Sequence, residues 1–285
     1  MGIQTLLLAS FSPGFFWLWF FLRQNKLRPA PKRLIALTFL LGCVSTIPAA
    51  ILEGIFNLGG LLEAETDLAT VATGMLLVVG PVEELCKFSA VRFAAYRSQY
   101  FDEPMDGLVY GAAASLGFAS LENFFYVLSY GPEVMLLRAP LSTVAHLVFG
   151  SIWGYALGQH HSSNFGKLWL VIGGLALAAV AHALFNVTVV FYPWAAVLLV
   201  LAGGIWSFKR FRWGQRVSPF RLRRNYPFTH CRSCDALVRV LDRHCTSCGA
   251  SASPIGRELI CGRCQNRNRA DATYCTGCGD HLLMR

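Results

Sequence analysis

Seven apolar stretches, each of about 20 residues, follow one another through the first 208 residues of the chain. The hydrocarbon core of a bilayer is about 30 Å thick, so a helix that crosses it needs roughly 20 mostly apolar residues. This pattern predicts an all-α polytopic membrane protein with about seven transmembrane helices. The predicted spans are residues 2–22, 34–56, 69–91, 107–130, 138–158, 168–191 and 193–208, of which the last is the shortest.

Basic residues collect in alternate loops of this predicted bundle. They lie in the loop at 23–33, after the third span at Arg92 and Arg97, and after the fifth span at Lys167. The other loops are mainly acidic and carry Glu53, Glu63, Glu65, Asp67 and Glu133. Because loops rich in Lys and Arg stay in the cytoplasm, we expect a multi-pass protein of the cell membrane. Its N-terminus should lie outside and its C-terminal tail in the cytoplasm.

Eight cysteines lie in the last 55 residues and form an internal repeat. They are Cys231, Cys234, Cys245, Cys248, Cys261, Cys264, Cys275 and Cys278. Each of the first four recurs 30 residues later, and each set of four consists of two CxxC pairs. Two such pairs can supply the four thiolates of a tetrahedral zinc site, which is structural because no ligand position stays open. Disulfides are the alternative, and a reducing cytoplasm argues against them.

Charge and cysteine content together divide the chain into three regions. The first 207 residues carry 10 Lys and Arg against 11 Asp and Glu, whereas the rest carry 15 against 5. We predict a transmembrane domain at 1–208, a basic juxtamembrane linker at 209–229 and a small cytoplasmic tail of tandem four-cysteine zinc ribbons at 230–285. A basic segment beside a membrane suits anionic lipid head groups. Membrane lipid is therefore an expected partner, and nucleic acid is not.

Ionisable and strongly polar side chains occur inside four of the predicted spans, although each charge there costs roughly 2.5–3.5 kcal/mol. They are Glu83, Glu84, Lys87, Glu122, Asn123, His146, His182 and Asn186. Helical spacing puts Glu83 and Lys87 on one face, and Pro81 should open the helix just before the glutamates. We expect these groups to meet in one cavity. The alternative is that they only join helices through ion pairs and hydrogen bonds.

The order of these motifs resembles the PrsW family of bacterial intramembrane proteases, which is related to the CAAX-prenyl endopeptidases. The motifs are Glu83-Glu84-Leu-Cys-Lys87, Gly117-Phe118-Ala-Ser-Leu-Glu122-Asn123, His146 and His182-Ala-Leu-Phe-Asn186. The CAAX enzymes have FxxxH where this chain has Glu122 in FxxxEN, which favours PrsW. The resemblance covers roughly 34–208 and implies cleavage of membrane-protein substrates within or near the membrane. The tail lies outside it and resembles a double zinc ribbon.

Peptide hydrolysis needs a general base and donors to the oxyanion, and these residues can supply both. Glu83 or Glu84 is the candidate general base, because a positioned carboxylate can activate water. Asn186 and a histidine are candidate donors to the oxyanion. Glu122, His146 and His182 are candidate ligands of a zinc ion with an open position for water. The competing mechanism uses a glutamate without metal, and the lack of HExxH spacing favours that mechanism slightly.

Two other functions are compatible with the sequence. The membrane domain could be a non-catalytic scaffold or sensor, with the zinc ribbons recruiting a cytoplasmic protein partner. It could also be a transporter that uses Glu83, Glu84 and Lys87 as a proton relay. Transporters often contain inverted repeats, and the sequence shows no such repeat.

Overall fold

The computed structural model of the protein describes residues 2–25, 30–56, 67–98, 100–101, 103–162, 168–217, 228–239, 244–251, 259–268, 272, 274–280 and 282. The chain divides into two compact units. The first comprises Met1–Asn25 and Leu34–Gln215 and is helical. The second comprises Lys26–Arg33 and Arg216–Arg285 and contains the cysteine-rich tail. The predicted loop residues Glu63, Glu65 and Lys167 lie outside the described residues.

Nine α-helices occur in the described part of the chain. They are α1 (Ile3–Gln24), α2 (Lys32–Phe56), α3 (Leu68–Gly74), α4 (Gly80–Ala94), α5 (Pro104–Tyr130), α6 (Met135–Leu137), α7 (Thr143–Ser162), α8 (Leu168–Phe191) and α9 (Pro193–Val217). A 3-10 turn at Pro132–Val134 leads into α6. Two π-helical segments, Met75–Val79 and Arg138–Ser142, precede α4 and α7.

Six stretches of the described chain are long and apolar enough to cross a membrane. They are Ile3–Arg23, Lys32–Phe56, Leu68–Ala94, Pro132–Ser162, Leu168–Phe191 and Pro193–Arg216. The predicted span 107–130 also forms a helix, α5, but is not among these six. α5 packs against α1 and α7, and every residue from Met105 to Ser120 is buried. A helix surrounded by protein tolerates polar residues that lipid would reject. The count of seven crossings stays a prediction.

α9 is longer than the predicted last span. It ends at Val217 rather than at residue 208, so it includes the first part of the predicted basic linker. Phe211 explains the extension, because its ring is buried against that of Phe21 with 4.8 Å between the centroids. Residues 218–227 of the predicted linker lie outside the described part of the chain.

The helix that carries the two glutamates begins after an irregular turn. The amide of Gly80 donates to the carbonyl of Met75, five residues earlier, and Pro81 follows directly. Proline has no amide hydrogen, and π-helical turns of this kind are frequent at functional sites. The irregularity lies where Pro81 is predicted to open the helix, just before Glu83 and Glu84.

Glycines bring α5 and α7 close together. A β-carbon added to Gly111 would lie 2.6 Å from the carbonyl oxygen of Gly150, which is too close without a shift of the backbone. Gly107 of α5 and Gly154 of α7 face each other in the same way. Small residues four positions apart commonly mediate close helix packing in membranes. This contact fixes α5 beside the helix that carries His146.

The described part of the tail folds into a four-stranded antiparallel sheet with strand order β2-β1-β3-β4. Strands β1 (Phe228–His230) and β2 (Leu237–Arg239) belong to the first cysteine repeat. Strands β3 (Leu259–Ile260) and β4 (Arg267–Asn268) belong to the second. The repeats join where β1 pairs with β3. The sheet begins slightly before the predicted ribbon boundary at residue 230.

Candidate active site and metal centres

Lys87 lies at the centre of the polar residues inside the helical unit. Its ammonium group is fully buried and donates three hydrogen bonds of 2.9 Å, to Glu83 Oε2, Glu84 Oε1 and His146 Nδ1. All three of its hydrogens are therefore used. The ring centroid of Phe118 lies 4.2 Å from the nitrogen and adds a cation–π contact. Glu83 and Lys87 meet as their helical spacing predicts.

Glu84 is held from several sides. Besides the bond from Lys87, its Oε1 accepts a hydrogen bond of 2.9 Å from His182 Nδ1. Its Oε2 accepts one of 2.9 Å from Trp153 Nε1. The side chain is only 1% exposed. Glu84 can therefore reach a substrate only by giving up these contacts, and its present geometry orients the ring of His182 instead.

Glu83 is the member of the pair that borders a cavity. Its Oε2 lies 4.0 Å from His146 Nδ1 and 3.8 Å from His182 Nε2. Its other oxygen, Oε1, makes no hydrogen bond with any residue that the structure describes. Glu83 lines a cavity of about 630 Å³, whereas Glu84 does not. The free oxygen of Glu83 is thus the better placed of the two candidates for the base.

His146 is fixed by a second ion pair. Its Nε2 donates to Glu122 Oε2 at 2.9 Å, and the same oxygen accepts from Arg138 Nη2 at 2.6 Å. Arg138 Nε donates to Asn123 Oδ1 at 2.8 Å, and Asn123 Nδ2 donates to Thr143 Oγ1 at 3.1 Å. The two polar residues of the FxxxEN motif therefore hold one arginine between them. That arginine in turn fixes Glu122 against the imidazole.

Many of the predicted site residues line this cavity. Its polar wall consists of Thr46, Glu53, Glu83, Glu122, Tyr126, Arg138, Ser142, His146 and Asn186. Asn186 Nδ2 donates to Met75 Sδ at 3.7 Å. A thioether is a weak acceptor, so this amide can turn to a substrate at little cost. His182 and Glu84 do not border the cavity but contact the groups that do.

Three of the buried residues can hold a metal ion. One ligand atom from each of Glu83, His146 and His182 lies within 4.8 Å of the others. His146 donates its other nitrogen to Glu122 and His182 donates its own to Glu84, as metal-binding histidines usually do. Such a set fits a divalent ion with an open position. The sequence suggests Glu122 as the third ligand, but the structure places Glu83 there instead. Glu122 is bonded to Arg138.

Three residues that complete the site are not assigned to it by the sequence analysis. Glu53, expected among the loop acids, lies in α2 on the cavity wall. Arg138 binds Glu122, and Trp153 anchors Glu84. The position of Trp153, two helical turns after His146 on the same helix face, is a usable signal. The partners of Glu53 and Arg138 are set by the packing of separate helices, which the sequence alone does not give.

The eight predicted cysteine ligands form two clusters in the tail. One contains Cys231, Cys234, Cys245 and Cys248, and the other contains Cys261, Cys264, Cys275 and Cys278. Facing sulfurs within a cluster lie 3.5–3.7 Å apart. A disulfide requires about 2.05 Å, whereas thiolates bound to a tetrahedral zinc at about 2.3 Å lie roughly 3.8 Å apart. The clusters fit a tetrahedral ion and not disulfides.

Each cluster is built from two turns of the same form. The amide after the second cysteine of each pair donates to the carbonyl of the first, as Asp235 does to Cys231 at 2.9 Å. The residues at these four positions have positive φ angles: Asp235 60°, Gln265 61°, Gly249 75° and Gly279 72°. The amides of Ser233 and Cys234 lower the pKa of the Cys231 thiol to about 6. Four matching turns therefore bring the four sulfurs of each cluster together, as a tetrahedral metal site requires.

Comparison with known families assigns the membrane part of the chain. The sequence profile of the PrsW family intramembrane metalloproteases matches residues 30–208. The chain belongs to the PrsW family. The protease PrsW of Halalkalibacterium halodurans is 32% identical over 183 residues, which are 64% of this chain and 82% of that protein.

Two further PrsW proteases match a larger share of the chain. The Shouchella clausii protein is 27% identical over 216 residues, which are 72% of this chain and 96% of that protein. The Bacillus subtilis protein is 28% identical over 210 residues, which are 72% of this chain and 92% of that protein. No solved structure matches significantly. The cysteine-rich tail lies outside the family match, and the relation to CAAX-prenyl endopeptidases stays a prediction.

Proposed function

We propose that this PrsW-family chain is an intramembrane endopeptidase that hydrolyses peptide bonds of membrane-protein substrates beside Glu83. The observation that carries the proposal is the placement of this carboxylate. It borders the 630 Å³ cavity, with histidine nitrogens 3.8 and 4.0 Å from its Oε2. A carboxylate positioned in a cavity can take a proton from water. Membership of a protease family supports this function over a non-catalytic scaffold and over a transporter.

The contacts of the polar residues suggest a separate catalytic or positioning role for each. Glu83 takes the proton from the attacking water as general base. Asn186 Nδ2 donates to the oxyanion that forms on the substrate carbonyl. Glu84 and Glu122 are positioning residues, since each is bonded to a nitrogen of one histidine. This assignment narrows the general base from the glutamate pair to Glu83.

A divalent metal fits the same residues, and the PrsW family is described as one of intramembrane metalloproteases. Glu83, His146 and His182 would hold it. His146 Nδ1 now accepts a hydrogen bond from Lys87, so this bond would have to break. When bound, a divalent ion polarises a carbonyl and lowers the pKa of water.

The cavity lies at one end of the helical unit. Among its lining residues, Glu53 is close to the end of α2, Tyr126 to the end of α5, and Val190 to the end of α8. The basic loops predicted to face the cytoplasm connect the opposite helix ends. We propose that substrates are cut in the outer half of the membrane, where the orientation predicted from Lys and Arg places this cavity.

Purified protein in liposomes would test the proposal with a panel of internally quenched peptides. Each peptide carries an apolar span of about 20 residues and a different flanking sequence. Glu83→Gln should lower cleavage at least about a hundredfold, the usual scale for a general base. Glu133→Gln makes the same chemical change at an exposed site outside the cavity and should leave cleavage unchanged. Mass spectrometry of the products locates the cut relative to the span.

Two results would contradict the proposal. Unaltered cleavage by the Glu83 variant would exclude this carboxylate as the base. Failure of the wild-type protein to cleave any peptide of the panel would count against the protease function itself. It would favour the non-catalytic scaffold instead.

We further propose that the tail holds two structural zinc ions through its eight cysteines. All four ligand positions of each cluster are thiols, so neither ion has an open position for chemistry. Recruitment of a cytoplasmic protein partner by the tail stays a prediction from the sequence.

A further inference from the structure

Glu53 shares the cavity with the proposed general base. It lies near the end of α2 and lines the same cavity as Glu83. Its Oε1 is buried and has no hydrogen-bond partner among the residues that the structure describes. Its carboxyl group interacts electrostatically with Glu83, Glu122 and Lys87. A buried polar atom without a partner is costly and calls for an explanation.

The other carboxylates around the cavity are already engaged. Glu83 and Glu84 share Lys87. Glu122 is bonded to Arg138 and His146. Within the described chain, Glu53 differs from these three in having no ion pair, so it can bind or release a proton without breaking one.

We infer that Glu53 is a second proton-transfer residue, which delivers a proton to the leaving amine nitrogen of the substrate. The inference rests on the proposed protease function. The water oxygen bonds to the carbonyl carbon while Glu83 takes one water proton. The C–N bond then breaks, and the electron pair left on nitrogen accepts the proton from Glu53. The proton on Glu83 returns through water to Glu53, so both carboxyl groups regain their starting states.

The chemistry of amides explains why a second carboxyl group is needed. An amine leaves as a neutral molecule only if its nitrogen is protonated while the C–N bond breaks. Lys87 has all three hydrogens bound, and both histidines donate to glutamates. Glu53 is the remaining described carboxyl group of the cavity wall that is not tied to a cation.

An ester in place of the scissile amide tests this role directly. An alcohol leaves more easily than an amine and depends less on a proton donor. From the panel, the peptide that the wild-type protein cleaves is prepared in two forms, with an amide or an ester at the cut bond. Glu53→Gln should lower kcat for the amide at least about a hundredfold and for the ester less than about fivefold. Glu83→Gln should lower both, and Glu133→Gln should lower neither.

Glu53→Asp keeps a carboxyl group one methylene shorter and serves as the second variant. It should restore at least about a tenth of the amide activity if the acid is what matters. Equal losses for amide and ester, equal losses in the Asp and Gln variants, or a change in KM alone would each overturn the inference. A wild-type protein that cleaves neither form would instead contradict the proposed protease function. The thermal unfolding of each variant shows whether it is folded.

Discussion

Single charges in the site depend on their partners for both position and stability. Lys87 neutralises part of the charge of Glu83 and Glu84, and Arg138 does the same for Glu122. Removing one partner of a buried ion pair typically costs about 3–5 kcal/mol, because the other charge is left without compensation. The residues of the EExxK and FxxxEN motifs therefore form two linked sets that position His146 between them.

Trp153 allows this positioning to be tested without removing a charge. Trp153→Phe keeps an aromatic ring but loses the donor to Glu84 Oε2. One buried acceptor then lacks a partner, which should cost about 1–3 kcal/mol of unfolding free energy. Loss of a second-layer partner should also lower kcat about 10–100-fold. Trp169→Phe, at a site 68% exposed, is the matched control and should change neither the melting temperature nor kcat. A Trp153 variant with wild-type kcat would exclude the positioning role.

Whole helices could largely be predicted from hydropathy, but their contacts could not. Six predicted spans correspond to apolar helices of sufficient length, because exposure to lipid requires an apolar surface. α5 is less apolar, and its residues from Met105 to Ser120 are buried by protein. Each of the two short π-helical segments has a proline beside or within it, Pro81 just after the first and Pro140 within the second. The spacing of Gly107, Gly111, Gly150 and Gly154 is a further signal, which indicates close packing of α5 on α7.

That helix contact leads to a prediction of its own. Gly154→Leu places a large side chain against the carbonyl of Gly107. Overpacking of this kind typically costs about 1–3 kcal/mol, and separation of α5 from α7 should also displace His146 and lower activity. Gly173→Leu is the control, since a β-carbon there has no atom within 4 Å. Thermal unfolding in detergent should show a lower melting temperature for the first variant only. Equal melting temperatures would show that the contact is not needed for packing.

In the whole molecule, the two kinds of site differ in how far the sequence predicts them. The cysteine clusters are made by short turns, so the spacing of residues such as Cys231 and Cys234 suffices to place them. The membrane site is made by side chains from separate helices. Helical periodicity brings Glu83 to Lys87. Which glutamate joins His146 and His182 as a candidate metal ligand, Glu83 or Glu122, depends on where Arg138 lies. That position is set by helix packing.

Metal analysis of the full-length protein separates these two sites. We expect two zinc ions bound by the tail cysteines and a third divalent ion bound by Glu83, His146 and His182. His182→Ala should remove only the third, because the cysteine clusters do not use it. Combined Cys234→Ser and Cys264→Ser should remove only the first two and unfold the tail, since metal binding supplies the folding free energy of such small sites.

Cys43→Ser changes a cysteine outside both clusters and should leave all three ions in place. Two ions in the wild-type protein, with His182→Ala unchanged in metal content, would show that Glu83 acts without a metal. Fewer than two ions under reducing conditions would contradict the zinc-ribbon assignment. Activity measured beside metal content then shows which ion hydrolysis requires. Loss of the cysteine-bound ions should leave peptide cleavage intact, because Glu83, His146 and His182 all lie within the helical unit.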